Sequence, residues 1–312
     1  TASALYIFEP NTPLRGLDEN VAFDYYLGSE APEVKIEILD GSGTVLRSFT
    51  GTPQDKEPEP QRAGFGPFRQ PHVSVKKGMN RFTWDLRQEG SVVSPGMIMW
   101  GAHPQRGPAS PPGSYAVRIT AHGRTEARNF TIGLDPRLQA QGITEADLQE
   151  QYKLSVQVRD AVTAANNAVI QIRSIRQQVE DRLAKVPERR RAEIKALADQ
   201  MMKPLAAVEE EVYQVRNQSS QDPLNFPIKL NNKIAALAGV IESAESKPTD
   251  QSYEVFKELN AALDKLLAQK DDVLKRELQR VNAAIKREKL APIDPAAKPP
   301  APTKATSSTQ QR

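Results

Sequence analysis

The acids Asp85 and Glu89 and the histidines His72, His103 and His122 are the side chains through which this chain could do bond-breaking chemistry. Glycoside hydrolysis would use two carboxyl groups held a short distance apart. Asp85 and Glu89, with a further carboxylate, would have to converge in a cleft, and their sequence spacing gives no support for that. Trp84-Asp85 reads more simply as part of a strand. Phe82, Trp84 and Leu86 alternate with Thr83 and Asp85, which packs Trp84 inward and turns Asp85 out. The histidines lie far apart and lack metal-ligand spacing such as His-x-x-x-His. The chain has no cysteine, which removes disulfides, thiol catalysis, Cys-ligated zinc and iron–sulfur clusters. No glycine-rich phosphate loop precedes a helix. These residues predict no catalytic, cofactor-binding or metal-binding site.

What remains is recognition. Met97-Ile98-Met99-Trp100-Gly101-Ala102-His103 forms an apolar cluster inside a long Pro-rich segment, Gln88 to Pro112. Met and aromatic side chains are enriched where one protein surface docks on another. Met97, Ile98, Met99, Trp100 and His103 are therefore the candidate contact residues. The competing reading of this segment is a loop folded back over an open sheet edge. Thr52 to Pro71 is a second Pro-rich stretch with little apolar content. Loops this long are either functional or disordered.

The elements that must position these residues change period near Asp135-Pro136-Arg137. Before it, short alternating runs predict strands at Ala4–Phe8, Val21–Leu27, Val34–Leu39, Val45–Phe49, Arg81–Leu86, Ser114–Ala121 and Ala127–Ile132. Asp40-Gly41-Ser42-Gly43 and His122-Gly123-Arg124 read as hairpin turns. Short strands at this density predict an immunoglobulin-like antiparallel β-sandwich over residues 1–137.

After the change, apolar residues recur every three or four positions. Thr144-Glu145-Ala146-Asp147 resembles a capping box, opening a helix whose stripe runs from Leu148 to Leu183. Pro187 ends it. A second helix carries Ile194, Leu197, Met201, Leu205, Val208, Val212 and Val215, and Pro204 is expected to kink or split it. A shorter helix spans Ile228 to Ile241, and a last one, capped by Thr249 or Asp250, runs past Ile285. Short connections favour antiparallel neighbours, so residues 138–288 predict an elongated antiparallel bundle of three or four helices. Asn166-Asn167, Asn231-Asn232 and Asn282 fall near the stripes, as inter-helix hydrogen bonds or as an amide-binding groove. Residues 289–312, rich in Pro, Ala, Lys, Ser and Thr, read as a disordered tail. The fold class is α+β, with more than one domain.

The net charge of +3 balances 42 basic against 39 acidic residues, interspersed, so a nucleic-acid partner is not expected. Arg189-Arg190-Arg191 is flanked by Glu188 and Glu193 and reads as a solvated helix face. No stretch approaches the ~20 apolar residues of a membrane span. No signal peptide is visible, and Thr1 reads as a cut point or processed end, with targeting information expected upstream.

Several motifs in order carry a resemblance. Leu39-Asp40-Gly41-Ser42-Gly43, Gly78-Met79-Asn80-Arg81-Phe82-Thr83-Trp84-Asp85 and Pro112-Gly113-Ser114-Tyr115-Ala116-Val117-Arg118 resemble Ig-like domains that close many secreted bacterial proteins and the flagellar-hook capping protein. Trp84-Asp85-Leu86-Arg87, Leu134-Asp135-Pro136-Arg137 and the stretch from Asp222 to Lys233, with Pro248-Thr249 after it, together resemble the C-terminal region of large bacterial sortilin-like β-propeller proteins. Those are often labelled glycosyl hydrolases with BNR repeats. The resemblance implies an extracellular or periplasmic setting and an N-terminal β-propeller of the same parent chain as partner, with another envelope protein or a glycan as further partners. It implies that any sialidase-like active site lies in the propeller, and no family active-site residue maps onto this sequence. A stand-alone adhesion or carbohydrate-binding module is a further alternative, and it would require an exposed aromatic platform. With 6% aromatic residues, most needed for cores, few are left for one.

Overall fold

The computed structural model describes residues 4–18, 20–55 and 71–297. Among them the fold is α+β, with five α-helices and two β-sheets. The strands are β1 (Leu5–Ile7), β2 (Leu14–Arg15), β3 (Val21–Leu27), β4 (Val34–Asp40), β5 (Val45–Gly51), β6 (Gly78–Trp84), β7 (Gly113–Ala121) and β8 (Arg124–Leu134). The helices are α1 (Pro136–Ala140), α2 (Glu145–Lys185), α3 (Glu188–Val212), α4 (Leu230–Ile241) and α5 (Asp250–Arg287). One sheet, in the order β1-β3-β6, is antiparallel. The other, in the order β2-β8-β7-β4-β5, is mixed, because β2 pairs parallel with β8.

The chain divides into two compact units. One contains residues 1–91, 104–159 and 239–253, and the other contains 92–103, 160–238 and 254 onward. Strands give way to helices at Asp135, where the change of period lies, but compactness does not follow that boundary. Residues 145–159, the start of α2, group with the sheets.

In the first unit, alternation decides which side chains enter the core. Val21, Phe23, Tyr25 and Leu27 of β3 are buried, as are Ile7 of β1 and Phe82 and Trp84 of β6. They join Ile36, Ile38, Val117, Ile119 and Phe130 of the mixed sheet in one hydrophobic cluster. Aromatic rings bridge the sheets: Phe23 and Phe130 lie 5.2 Å apart, and Trp84 lies 6.2 Å from Phe130 and 6.4 Å from Tyr115. Burial pushes the Tyr25 and Tyr115 hydroxyls above their usual titration range. Both expected hairpin turns form. Asp40 Oδ1 accepts from the Ser42 and Thr44 amides, each at 2.9 Å, and Gly43 takes φ +87°. His122 and Gly123 both take positive φ, the conformation of a type I′ turn.

Across β4 and β7, Glu37 pairs with Arg118 in register. The Arg118 guanidinium donates to Glu37 Oε2 at 2.9 Å, and Lys35 lies 2.8 Å from Oε1. Arg118 chiefly, with Lys35 aiding, holds the Glu37 carboxyl below its usual range against the opposing effect of burial. A lowered folded-state value stabilises the fold above the unfolded pKa of about 4.3, and that contribution is lost as pH falls through the folded value. Arg118→Gln is therefore expected to flatten the acid side of the stability–pH curve below about pH 4.3. Denaturant titrations from pH 7 to 3 check this, and an unchanged slope would contradict it.

In the helices, caps and stripes agree with the sequence. Thr144 and Asp147 form the reciprocal capping box: Thr144 N donates to Asp147 Oδ2 at 2.9 Å, and Asp147 N donates to Thr144 Oγ1 at 3.2 Å. Thr249 Oγ1 accepts from Ser252 N at the start of α5. Pro187 stands at the N-terminus of α3, and α3 continues unsplit past Pro204. Ile194, Met201, Leu205, Val208 and Val212 are buried, whereas Val215 lies past the helix end and is exposed.

Polar pairs join the helices of the second unit. Arg173 Nε and Arg176 Nη2 of α2 donate to the buried Glu209 of α3 at 2.7 and 2.6 Å. Asn231 Nδ2 of α4 donates to Asn166 Oδ1 of α2 at 3.0 Å. Arg190 meets Glu288 at 3.1 Å, in keeping with a solvated, paired basic run. The expectation of an unpacked tail from Lys289 needs correction as far as Ala297. Ile293 is buried, and side chains of α2 and α5 hold its neighbours; the remainder of the expected tail lies outside the described residues.

Candidate functional site

Asp85 and Glu89 stand in different surroundings, the first half-buried and the second exposed. Asp85 Oδ1 accepts from Arg47 Nη1 at 2.8 Å and from the Arg87 amide at 3.2 Å, which gives it a structural task. Glu89 is exposed, and its amide donates to Leu46 O at 3.3 Å. A depression of about 230 Å³ nearby is lined by Gln88, Tyr115 and Tyr152 and by one acid, Asp40, whose Oδ1 already serves its own turn. His122 Nε2 lies 3.3 Å from Ser29 O. His72 lines a separate depression with Glu30 and Asp55. Among the described residues, no group of three or more His, Asp or Glu side chains gathers as metal ligands would.

The segment Gln88 to Pro112 begins and ends in the first unit. Ser110 N donates to Leu86 O, Gln88 N to Pro108 O and Ser91 N to Pro104 O, so its limbs run side by side. The approach is too close for side chains: a Cβ on Gly107 would fall 2.1 Å from Gln88 O, and one on Gly90 would fall 2.3 Å from Gln105 O.

Residues 92–103 belong to the second unit and are held there through their backbone. Val92 N donates to Thr163 Oγ1, and Asn166 Nδ2 donates to Val92 O at 2.7 Å. Ile98 N donates to the Tyr213 hydroxyl at 3.1 Å. Trp100 N donates to Asn232 Oδ1 at 2.6 Å while Asn232 Nδ2 donates back to Trp100 O at 2.9 Å. Met97, Ile98 and Met99 are half-buried, whereas Trp100 and His103 are exposed, Trp100 at 42%. Val92, Ile98 and Trp100 are thus held through their backbone within the unit, and the Trp100 side chain is exposed. Of the asparagines expected as inter-helix links, Asn166 and Asn231 bond each other across α2 and α4, whereas Asn232 grips this segment and Asn282 bonds Ile293.

A second exposed surface lies on the three-stranded sheet. Register places Tyr6 of β1 opposite Tyr26 of β3, and Tyr26 opposite Met79 of β6. These side chains are 50%, 37% and 61% exposed. Phe8 stands edge-on to Tyr6, with ring centres 4.9 Å apart, and the Arg128 guanidinium lies over the Tyr6 ring at 5.4 Å. Beside Tyr26, Arg81 donates from Nε and Nη2 to both Asp24 carboxylate oxygens, at 2.7 and 2.8 Å. That hydrogen-bonded guanidinium holds the Asp24 carboxyl below its usual range. The face can stack against an apolar or ring-shaped partner and offer charged hydrogen-bonding groups at its side. The signal is present in the sequence: in Leu5-Tyr6-Ile7 and Tyr25-Tyr26-Leu27, burying the flanking residues forces Tyr6 and Tyr26 outward.

No helix among the described residues is long and apolar enough to cross a membrane. No protein-family model matches the chain, and no curated protein matches it. Among solved structures, it is similar to that of Bifidobacterium dentium beta-glucuronidase complexed with coumarin-3-O-glucuronide, with 18% identity and a TM-score of 0.20, over 42% of this chain and 18% of that one. A structure named pT26-6p is 11% identical, with a TM-score of 0.18, over 91% of this chain and 49% of that one. The chain spans less than half the length of either protein, and likenesses this low describe neither its fold nor its function.

Proposed function

We propose that this chain is a non-catalytic scaffold and interaction region, an Ig-like sandwich followed by an elongated helical bundle, at the C-terminal end of a secreted or envelope β-propeller protein. The observation that carries the reading is the contrast between an engaged acid and exposed aromatic and Met side chains. Asp85 serves Arg47, whereas Tyr6, Tyr26, Met79 and Trp100 stand exposed. Exposed aromatic and Met side chains with charged neighbours suit docking on another protein surface. The propeller of the parent chain is the partner this reading names, and any glycoside hydrolase activity of the parent would reside there. Trp100→Ala and Tyr26→Ala are each expected to weaken capture of a separately expressed propeller about tenfold or more, the scale of a docking hot spot, while leaving far-UV circular dichroism unchanged. Full retention of propeller capture by both variants would sink the reading.

The Tyr6–Tyr26 row also supports a second reading, a carbohydrate-binding module. Aromatic faces stack on sugar rings, and the Asp24–Arg81 pair could hydrogen-bond sugar hydroxyls. Glycan-array binding that Tyr26→Ala abolishes would favour this reading over the first.

A further inference from the structure

We infer that the second unit contains a peptide-binding groove that reads main-chain atoms, and that residues 291–297 are its resident, exchangeable ligand. The inference is independent of the function proposed above. Gln171, Ser174, Gln178 and Arg182 recur at steps of three and four along α2, which places them on one helix face. Each donates to a backbone carbonyl of the segment. Arg182 Nε reaches Ala291 O at 3.1 Å, Gln178 Nε2 reaches Asp294 O at 2.9 Å, Gln171 Nε2 reaches Pro295 O at 3.1 Å and Ser174 Oγ reaches Ala297 O at 2.9 Å. Two amides of the segment donate in the opposite direction. Asp294 N donates to Gln178 Oε1 at 2.9 Å, and Ile293 N donates to Asn282 Oδ1 at 2.7 Å while Asn282 Nδ2 returns a bond to Ile293 O at 3.0 Å. An amide side chain that bonds both the N–H and the C=O of one residue imitates a neighbouring β-strand.

Only one apolar side chain of the segment anchors it deeply, Ile293, at 2% exposed. Asp294 fixes the turn beyond it, its Oδ1 accepting from Ala296 N at 2.8 Å. Pro292 and Pro295 restrict their own φ, which lowers the entropy lost when such a peptide is held. The ligand class is therefore an extended peptide of the form Pro-aliphatic-Asp-Pro. A tethered copy has an effective concentration near millimolar, so it outcompetes a free peptide unless its own anchor is weakened.

The test uses the full chain and a fluorescein-labelled synthetic peptide with the sequence of residues 289–297, with binding read by fluorescence anisotropy. Ile293→Ser in the protein is expected to permit saturable binding at least tenfold tighter than to the wild-type chain. Adding Gln178→Ala, or placing Ser at the isoleucine of the peptide, should remove that gain. Absence of binding up to millimolar peptide, or equal binding to both proteins, would overturn the inference and make the segment a permanent part of the fold. Hydrogen exchange on the wild-type chain gives a reading that needs no variant. The Ile293 and Asp294 amides should exchange at least tenfold faster than those of Ile172 and Ile175 in α2, and equal protection would also overturn it.

Discussion

Replacing Trp84 by alanine is expected to destabilise the first unit by about 3–5 kcal/mol, the usual range for deleting a buried aromatic. The indole is fully buried between the sheets, where it meets both Tyr115 and Phe130. Its Nε1 donates to Arg87 O at 2.7 Å, so truncation leaves a cavity and also leaves that carbonyl with Arg47 Nη1, at 3.1 Å, as its remaining donor. Trp84→Phe keeps much of the ring volume and loses only the donor, so its effect should be clearly smaller. Urea unfolding monitored by near-UV circular dichroism separates the two. A loss below about 1 kcal/mol for the alanine variant would mean that the core closes over the gap.

The second large effect is expected at Arg15, which sits on the two-residue strand β2 and is buried. Its guanidinium donates to Glu245 Oε2 at 2.7 Å, to Ser110 O at 3.0 Å and to Gln151 Oε1 at 3.0 Å. Gln151 in turn directs its Nε2 at the carbonyls of Ile241, Ala244 and Ser246. One side chain therefore secures β2, α2 and the turn after α4. Arg15→Met fills the space and strands two buried acceptors and a carboxylate. Glu245 is a third exposed and can recover water, which keeps the expected loss near the lower end for broken buried pairs, about 3 kcal/mol. A double-mutant cycle with Glu245→Gln checks it. Additivity would show that the ion pair contributes nothing beyond the two neutral bonds.

These two residues show where sequence reasoning succeeds and where it stops. Trp84 is legible because alternation with Phe82 and Leu86 is a local signal that burial enforces. Arg15 is not, because two residues carry no period and β2 exists only through its parallel pairing with β8, more than a hundred residues away. Leu134-Asp135-Pro136-Arg137 stands out as a motif, yet the capping of α1 by Asp135 through the Arg137 amide is invisible to periodicity, because five residues show no helical repeat. Pro204 does not split α3: it removes one N–H, and Met201, Leu205 and Val208 around it are buried. Of the exposed surfaces, Met97 to His103 stands out by composition. The Tyr6–Tyr26–Met79 row needs the register between three strands, which no single stretch of sequence contains.

The reciprocal amide grips have a consequence for how this protein ages. Asn232 holds Trp100, Asn282 holds Ile293 and Gln178 holds Asp294, each through a donor and an acceptor side by side. Hydrolysis of any of these amides, among the more heat-labile side chains, would turn the donor into a second acceptor facing a carbonyl. A chain without thiols escapes disulfide scrambling and cysteine oxidation, and loss of these amides would loosen the irregular segments they hold.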